Sequence, residues 1–195
     1  ERISLVHNGI IENYLSLKEF LIQNGYEFVS DTDTEVLVKL LDYYYNGDPL
    51  SSLLTTLSKV RGSYCLAILF KDFPGRIYAV RKESPLIVGY GKEENFLASD
   101  IPALLKYTRE YSILDEGEIA QIDENGISFF NEFGKPIEKE RLTADWDVEA
   151  AEKGGYAHFM LKEIHEQPEA MSRTINSRLE NGLPNLRIPE LTDEM

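Results

Sequence analysis

At Gly62 the character of the sequence changes, and that change constrains the fold more than any other feature. Before it, apolar residues recur mainly at helical spacing. After it, the chain reads as consecutive short β-rich runs bounded by Gly, Pro and Asp. These are Ser63–Phe70, Arg76–Val80, Leu86–Tyr90, Asn95–Ala98, Tyr111–Leu114, Glu118–Ile122 and Ile127–Phe130. Asp123-Glu124-Asn125-Gly126 makes the last two a hairpin. Strict alternation of strand and helix is absent, which argues against a doubly wound parallel sheet. The expectation is an α+β fold, antiparallel sheet with helices on its outer face.

Punctuation residues divide the first part. Ile3–His7 reads as a buried strand ending at the turn signal Asn8-Gly9. Asn13 is placed to cap a helix to about Asn24, with Leu17, Phe20 and Leu21 on one face and Gly25 as its stop. Glu27–Val29 reads as a short strand. Thr32-Asp33-Thr34-Glu35 has the Thr-x-x-Glu form of a capping box before an apolar helix, Val36–Tyr45. Asn46-Gly47-Asp48-Pro49 breaks the chain before a helix over Leu50–Val60, and Ile101–Tyr107 is a short helix. Beyond Phe133-Gly134 the core pattern fades. Glu138–Lys153 reads as charged and irregular, and Tyr156–Gln167 as a helix. Pro168 is expected to start another helix reaching about Leu179. Asn181–Met195 is expected to be an extended or frayed end.

Composition removes several function classes. The 195 residues carry 20 Lys+Arg against 34 Asp+Glu, a net charge of −14, which argues against nucleic-acid or anionic-lipid binding. With 43% hydrophobic residues the chain can bury a substantial core. No apolar run approaches the ~20 residues that span a bilayer. The chain opens on Glu1-Arg2-Ile3 without a leader pattern, so a soluble, cytoplasmic protein is expected. The single cysteine, Cys65, excludes an internal disulfide and a Cys-rich zinc site. His7, His158 and His165 leave little for a metal cage, and the seven-residue spacing of the last two is not a ligand spacing. Neither a metal nor a cofactor is expected.

Two short motifs carry chemistry. In His7-Asn8-Gly9-Ile10-Ile11-Glu12-Asn13-Tyr14, a side-chain amide and a following glycine N–H at a strand end can aim donors at one point, as an oxyanion hole requires. The same Asn-Gly pair also reads as a plain turn. In Thr32-Asp33-Thr34-Glu35, Asp33 at a helix start can pair with a substrate ammonium, and acids in a first turn also simply complement the helix dipole. Cys65 lies within Ser63–Phe70, a buried-looking strand, where a free cysteine behaves as a small hydrophobe and not as a nucleophile. Ser84 lacks a nucleophile-elbow context.

The two motifs stand in order with further ones: Phe28-Val29-Ser30-Asp31 leading into the second motif, Val60-Arg61-Gly62-Ser63-Tyr64, and Arg81-Lys82-Glu83-Ser84-Pro85-Leu86. Asn95-Phe96-Leu97-Ala98-Ser99-Asp100, Glu116-Gly117-Glu118-Ile119-Ala120 and the late run His158 to Pro168 complete the series. Over nearly its whole length the sequence resembles the glutaminase domain of the isomerising glutamine–fructose-6-phosphate aminotransferases, the glucosamine-6-phosphate synthases. The Asn-Gly pair and the Asp-bearing helix start are shared with other glutamine amidotransferases, such as the amidophosphoribosyltransferases. Ile10-Ile11-Glu12-Asn13 and the Lys162-to-Pro168 segment favour the hexosamine enzymes.

The resemblance implies an N-terminal-nucleophile hydrolase fold, an αββα sandwich of antiparallel sheets, here lacking its first strands. In that family an N-terminal cysteine attacks the glutamine carboxamide with its own α-amine as base. Ammonia then passes to a second domain that converts fructose 6-phosphate to glucosamine 6-phosphate, a step of hexosamine biosynthesis. On this pattern Asn8 and Gly9 stabilise the oxyanion, and Asp33, with Gly9, binds the substrate. The family's nucleophile and its Arg-Trp loop fall upstream of Glu1, so no residue of this chain is the expected nucleophile. Residues 1–154 are then a partial glutaminase domain, and 155–195 a helical linker toward a sugar-isomerase domain that is missing here. The implied partners are L-glutamine, fructose 6-phosphate through that domain, and a second subunit of a homodimer. The fragment alone is expected to be inactive. The competing readings are the glutaminase of another amidotransferase and an acidic interaction module without chemistry.

Overall fold

The computed structural model describes residues 2–144, 154–176, 179–180 and 183–184. The chain forms two compact units, Glu1–Asp145 and Trp146–Met195.

In the first unit, strand β1 (Ile3–Ile11) leads into helices α1 (Tyr14–Gln23), α2 (Asp33–Tyr44) and α3 (Pro49–Leu57). Strands β2 (Gly62–Phe70), β3 (Ile77–Lys82), β4 (Ile87–Tyr90) and β5 (Asn95–Ala98) follow, then the one-turn helix α4 (Ile101–Leu104). Strands β6 (Glu110–Ile113), β7 (Ile119–Asp123), β8 (Gly126–Phe130), β9 (Pro136–Ile137) and β10 (Leu142–Thr143) complete it. A six-stranded sheet has the order β1-β2-β3-β7-β8-β9, and a four-stranded sheet the order β10-β6-β4-β5. Every pairing is antiparallel.

The two-residue period of a strand assigns each side chain to a layer. On β2, Tyr64, Leu66, Ile68 and Phe70 join Leu21, Val36, Leu40 and Leu53 of the helices in one core. Neighbouring positions face the other way: Cys65 packs with Ala79, Val88, Leu114 and Ala120 in a second core that holds residues of both sheets. On β4, Val88 points into that second core, while a Cβ built on Gly89 would lie 3.1 Å from Leu104 Cδ1. Helix α4 therefore covers the far side of the small sheet. The order is helices, sheet, sheet, helix, with a thin last layer.

The helix punctuation acts largely as read. Thr32 accepts from the Glu35 N–H at 3.3 Å, and Asp48 accepts from the Leu50 N–H at 3.2 Å beside Pro49 at the first turn of α3. Three local readings are corrected. First, Asn8-Gly9 does not end β1; the strand runs through it to Ile11 because β2 continues to pair with it as far as Gly62. Second, Glu27–Val29 is not a strand. Its backbone is held by side chains of α2: the Glu35 carboxylate accepts from the Val29 N–H at 3.0 Å, and the Lys39 ammonium donates to the Glu27 carbonyl. Third, Asn13 makes no side-chain cap. Its amide donates to the Lys59 carbonyl at 2.8 Å and its oxygen accepts from the Arg61 N–H at 2.9 Å, strapping the start of α1 to the approach of β2.

The second unit contains helix α5 (Phe159–Asn176) and a short antiparallel pair, β11 (Leu179–Glu180) with β12 (Leu183–Pro184). Pro168 lies inside α5 instead of starting a new helix. A proline there removes one intrahelical hydrogen bond and crowds the preceding turn, and the helix continues on both sides of it. The irregular stretch expected over Glu138–Lys153 includes β10, while residues 145–153 and most of the expected frayed end lie outside the described residues. Among the described residues no helix is long and apolar enough to cross a membrane.

Adjacent residues of β2 give a direct test of the layering. Ile68 is 1% exposed and Leu69 is 49% exposed. Ile68→Ala should cost about 2–5 kcal/mol of unfolding free energy and Leu69→Ala under about 1 kcal/mol, read from urea denaturation followed by circular dichroism.

Candidate functional site

The far end of β1 is shaped by two glycines. Gly9 has φ +139°, and a Cβ there would stand 2.2 Å from the Ser63 carbonyl oxygen. Gly62, with φ +118°, would place a Cβ 2.1 Å from the Ile10 carbonyl oxygen. Both positions need glycine because the two backbones close on each other where the strand departs from regular geometry.

The direction of the backbone groups follows from the ladder. The Glu12 N–H donates to Arg61 at 2.9 Å, and the Arg2 carbonyl accepts from Lys71 at 2.8 Å. Even-numbered residues of β1 therefore turn their backbone groups toward β2, and odd-numbered ones, Gly9 and Ile11 among them, turn theirs toward the open edge. Side chains alternate on the perpendicular axis. Ile3, Leu5 and Ile11 join the helix-side core, while Ser4, Val6, Asn8 and Ile10 lie exposed on the opposite face. There Asn8 is paired in register with Cys65, and Cys65 with Arg81.

Asp33 meets this edge from α2. Its Oδ2 accepts from the Ile11 N–H at 2.8 Å. Its Oδ1 accepts from the Thr34 hydroxyl at 3.5 Å, and lies 3.9 Å from His7 Nδ1. The Gly9 N–H and the Ile11–Asp33 bond thus lie on one edge, two residues apart, roughly 7 Å along a strand.

The start of α2 is anchored by Glu35. Lys39 at 2.8 Å, the Ser30 hydroxyl at 2.6 Å, and the backbone N–H groups of Val29 and Ser30 all serve its carboxylate. Led by Lys39, these groups pull its pKa down to about 2. The sequence marks Glu35 as a capping-box acid; the structure uses it instead to hold the 29–30 loop beneath the helix.

Of the residues singled out from sequence, the structure brings Asn8, Gly9 and Asp33 to the same end of the sheet edge. Burial pushes the Cys65 thiol up, Arg81 opposing it more weakly. His158 and His165 lie in the other unit, where the His165 ring stacks on Tyr156 at 5.2 Å. Two residues gain a place that sequence did not assign. His7 and Thr34 sit against Asp33, and the signal available was only their place within the two motifs. A groove of about 680 Å3 runs along the first half of β1 and the start of α2, lined by Leu5, Thr32, Thr34 and Lys39 among others. Asn8, Gly9 and Asp33 do not line it.

Comparison with known proteins gives a consistent set of relatives. Residues 1–106 match the glutamine amidotransferase domain family. The chain is 58% identical over 179 residues to the glutamine–fructose-6-phosphate aminotransferase (isomerizing) of Caldanaerobacter subterraneus subsp. tengcongensis, covering 92% of this chain and 29% of that protein. It is 53% identical over 180 residues to the enzyme of the same name from Clostridium tetani, covering 92% and 30%. The chain therefore spans about three-tenths of the length of these curated relatives. Among solved structures, the glutamine phosphoribosylpyrophosphate amidotransferase of B. subtilis superposes with a TM-score of 0.60 at 24% identity, covering 67% of this chain and 29% of that one. A glutamine aminotransferase class-II domain protein from silicibacter pomeroyi gives 0.50 at 16% identity, covering 67% and 66%. The last two establish likeness of fold, the α+β arrangement of antiparallel sheets and helices.

Because the folded-state pKa of Glu35 lies below its ordinary 4.5, the carboxylate stabilises the fold fully above that pH. The contribution is lost as pH falls toward about 2. Glu35→Gln should lower the unfolding midpoint at pH 7, and its difference from the parent should shrink across that acid window. Urea denaturation at a series of pH values reads the convergence.

Proposed function

Because the chain belongs to the glutamine amidotransferase domain family, we propose that it is part of a glutamine-hydrolysing domain that supplies ammonia for making glucosamine 6-phosphate from fructose 6-phosphate. The reading of the acceptor rests on the 58% and 53% identities to aminotransferases of that name. The reading of the site rests on the hydrogen bond from the Ile11 N–H to Asp33, which joins the acid to the strand that bears Asn8 and Gly9.

The chemistry follows from the charges. Glutamine carries an ammonium at one end and a carboxamide at the other. Asp33, partly exposed and already fixed by a backbone donor, is the acceptor for the ammonium. The Gly9 N–H, on the same edge, and the Asn8 side-chain amide are the donors for the carbonyl oxygen. When a nucleophile attacks the carboxamide carbon, the oxygen becomes an anion and both donors bind it more strongly than they bound the carbonyl. The roughly 7 Å between the two points on the strand suits a small zwitterion with its amide and ammonium at opposite ends.

The nucleophile is not among these 195 residues on this reading. The one cysteine is Cys65, and burial shifts its thiol away from the thiolate that such an attack needs. Residues 1–154 contribute to the glutaminase domain, and 155–195 lead toward a sugar-isomerase domain. A cytoplasmic homodimer, without metal or cofactor in this part, belongs to the same proposal.

In the complete polypeptide, Asn8→Ala should lower kcat for glutamate release from glutamine about 10²–10³-fold with little change in KM. Asp33→Asn should act mainly on KM, raising it at least about tenfold. Unchanged kinetics in both folded variants would sink the assignment. The 195-residue chain by itself should release no ammonia from glutamine, and steady turnover by that chain alone in a coupled glutamate assay would contradict the absence of a nucleophile.

A further inference from the structure

His7 immediately precedes the Asn8-Gly9 pair, and its ring turns to the opposite side of the strand, toward α2. Its side chain is 2% exposed. Its Nδ1 lies 3.1 Å from the Thr34 hydroxyl oxygen, and its Nε2 is buried with no hydrogen-bond partner among the described residues. The Thr34 hydroxyl in turn lies 3.5 Å from Asp33 Oδ1. A histidine this buried is an expensive way to fill a core position, and filling does not require a polar ring aimed at a hydroxyl.

The proton positions follow from the inventory of donors. Thr34 has one hydroxyl hydrogen, and the carboxylate of Asp33 can only accept. That hydrogen therefore goes to Asp33, and the hydroxyl oxygen is left to accept. The neutral imidazole with its proton on Nδ1 donates to that oxygen. The other tautomer would leave an N–H buried at Nε2 with nothing to receive it, which is the rarer and costlier orphan. Burial pushes the His7 pKa down more strongly than Asp33 raises it, in keeping with a neutral ring.

We propose that His7 is a positioning residue for Asp33: through the Thr34 hydroxyl it fixes the direction of the carboxylate that the Ile11 N–H holds from the other side. This rests on the reading of Asp33 as the acceptor of the substrate ammonium. The consequence is that one five-residue stretch of β1 performs both halves of substrate recognition. Asn8 and Gly9 supply the oxyanion donors, while His7 and Ile11, flanking them, aim the acid. A carboxylate held at both oxygens presents its remaining lone pairs in one direction, and the ammonium meets it without reorganisation. Loss of the relay frees the carboxylate to rotate, which weakens binding of glutamine and leaves the oxyanion donors in place.

The test uses the complete polypeptide and reads kcat and KM for glutamate release from L-glutamine. Thr34→Val should raise KM about tenfold, the worth of one hydrogen bond to a charged group, and His7→Leu about threefold or more, the worth of one to a neutral hydroxyl, each with kcat within about twofold. Thr34→Ser keeps the hydroxyl and should restore the parent KM. In an Asp33→Asn background, His7→Leu should raise KM no further, because the group it aims is gone. A purely structural histidine predicts the opposite pattern, with independent effects that multiply in the double variant. That additivity, or unchanged KM in a folded Thr34→Val, overturns the inference while leaving the reading of Asp33 intact. An Asp33→Asn enzyme with parent KM overturns both. If His7→Leu fails to reach the parent near-ultraviolet circular dichroism, the Thr34 pair decides alone.

Discussion

The hydrogen bond from the Ile11 N–H to the Asp33 carboxylate organises this molecule. An edge strand leaves a row of unpaired backbone groups, and a helix start leaves a set of unpaired N–H groups and a positive dipole end. Here one acid answers to both. Asp33 sits in the first turn of α2, where negative charge is favoured, and its Oδ2 accepts from the last residue of β1. The helix layer is thereby registered on the sheet at one end. The rest of that layer follows from apolar packing, since Val36, Leu37, Leu40 and Leu41 of α2 descend into the core lined by β2 and β3.

The same bond brings Asp33 to the strand that bears Asn8 and Gly9. The first half of the β1 edge faces a groove, but its last residues face the start of α2, where Thr34, Asp33 and the loop held by Glu35 converge. The glycines at 9 and 62 let the two strands close at that point without side-chain interference. On the face of β1 away from the helices, Val6 and Ile10 stay 71% and 64% exposed on either side of Asn8. Asn8 therefore stands in an apolar, accessible strip, a setting in which a side-chain amide donor retains its strength once water is displaced.

Much of this was legible in the sequence for local reasons. The Thr-x-x-Glu pattern marked the start of α2, and Asp48-Pro49 marked that of α3. The apolar run Ser63–Phe70 marked a buried strand, and the structure gives it one face in each core. What was not legible depended on partners distant in the chain. Asn8-Gly9 carries a turn signature, yet β2 extends the ladder through it, and only the 63–64 backbone makes glycine at 9 a close-contact requirement. Asn13 has the composition of a cap and serves as a strap to residues 59 and 61, forty-six and forty-eight positions away. Pro168 breaks a helix by local rule, and here the helix continues on both sides of it.

By itself the sequence determined the α+β class and the order of most elements, and its motifs offered Asn8, Gly9 and Asp33 as candidate site residues. Those are properties of propensity, period and residue type, which act within a few positions along the chain. Only the tertiary structure decided that Asp33 reaches the strand bearing the other two, and that His7 and Thr34 stand behind it. It also decided that Glu35 holds a loop instead of closing a capping box. The first two rest on hydrogen bonds whose partners are set by how α2 docks on the edge of β1, while Glu35 binds groups within six residues of itself. Docking is a sum over the whole buried core, and no short window of sequence contains it.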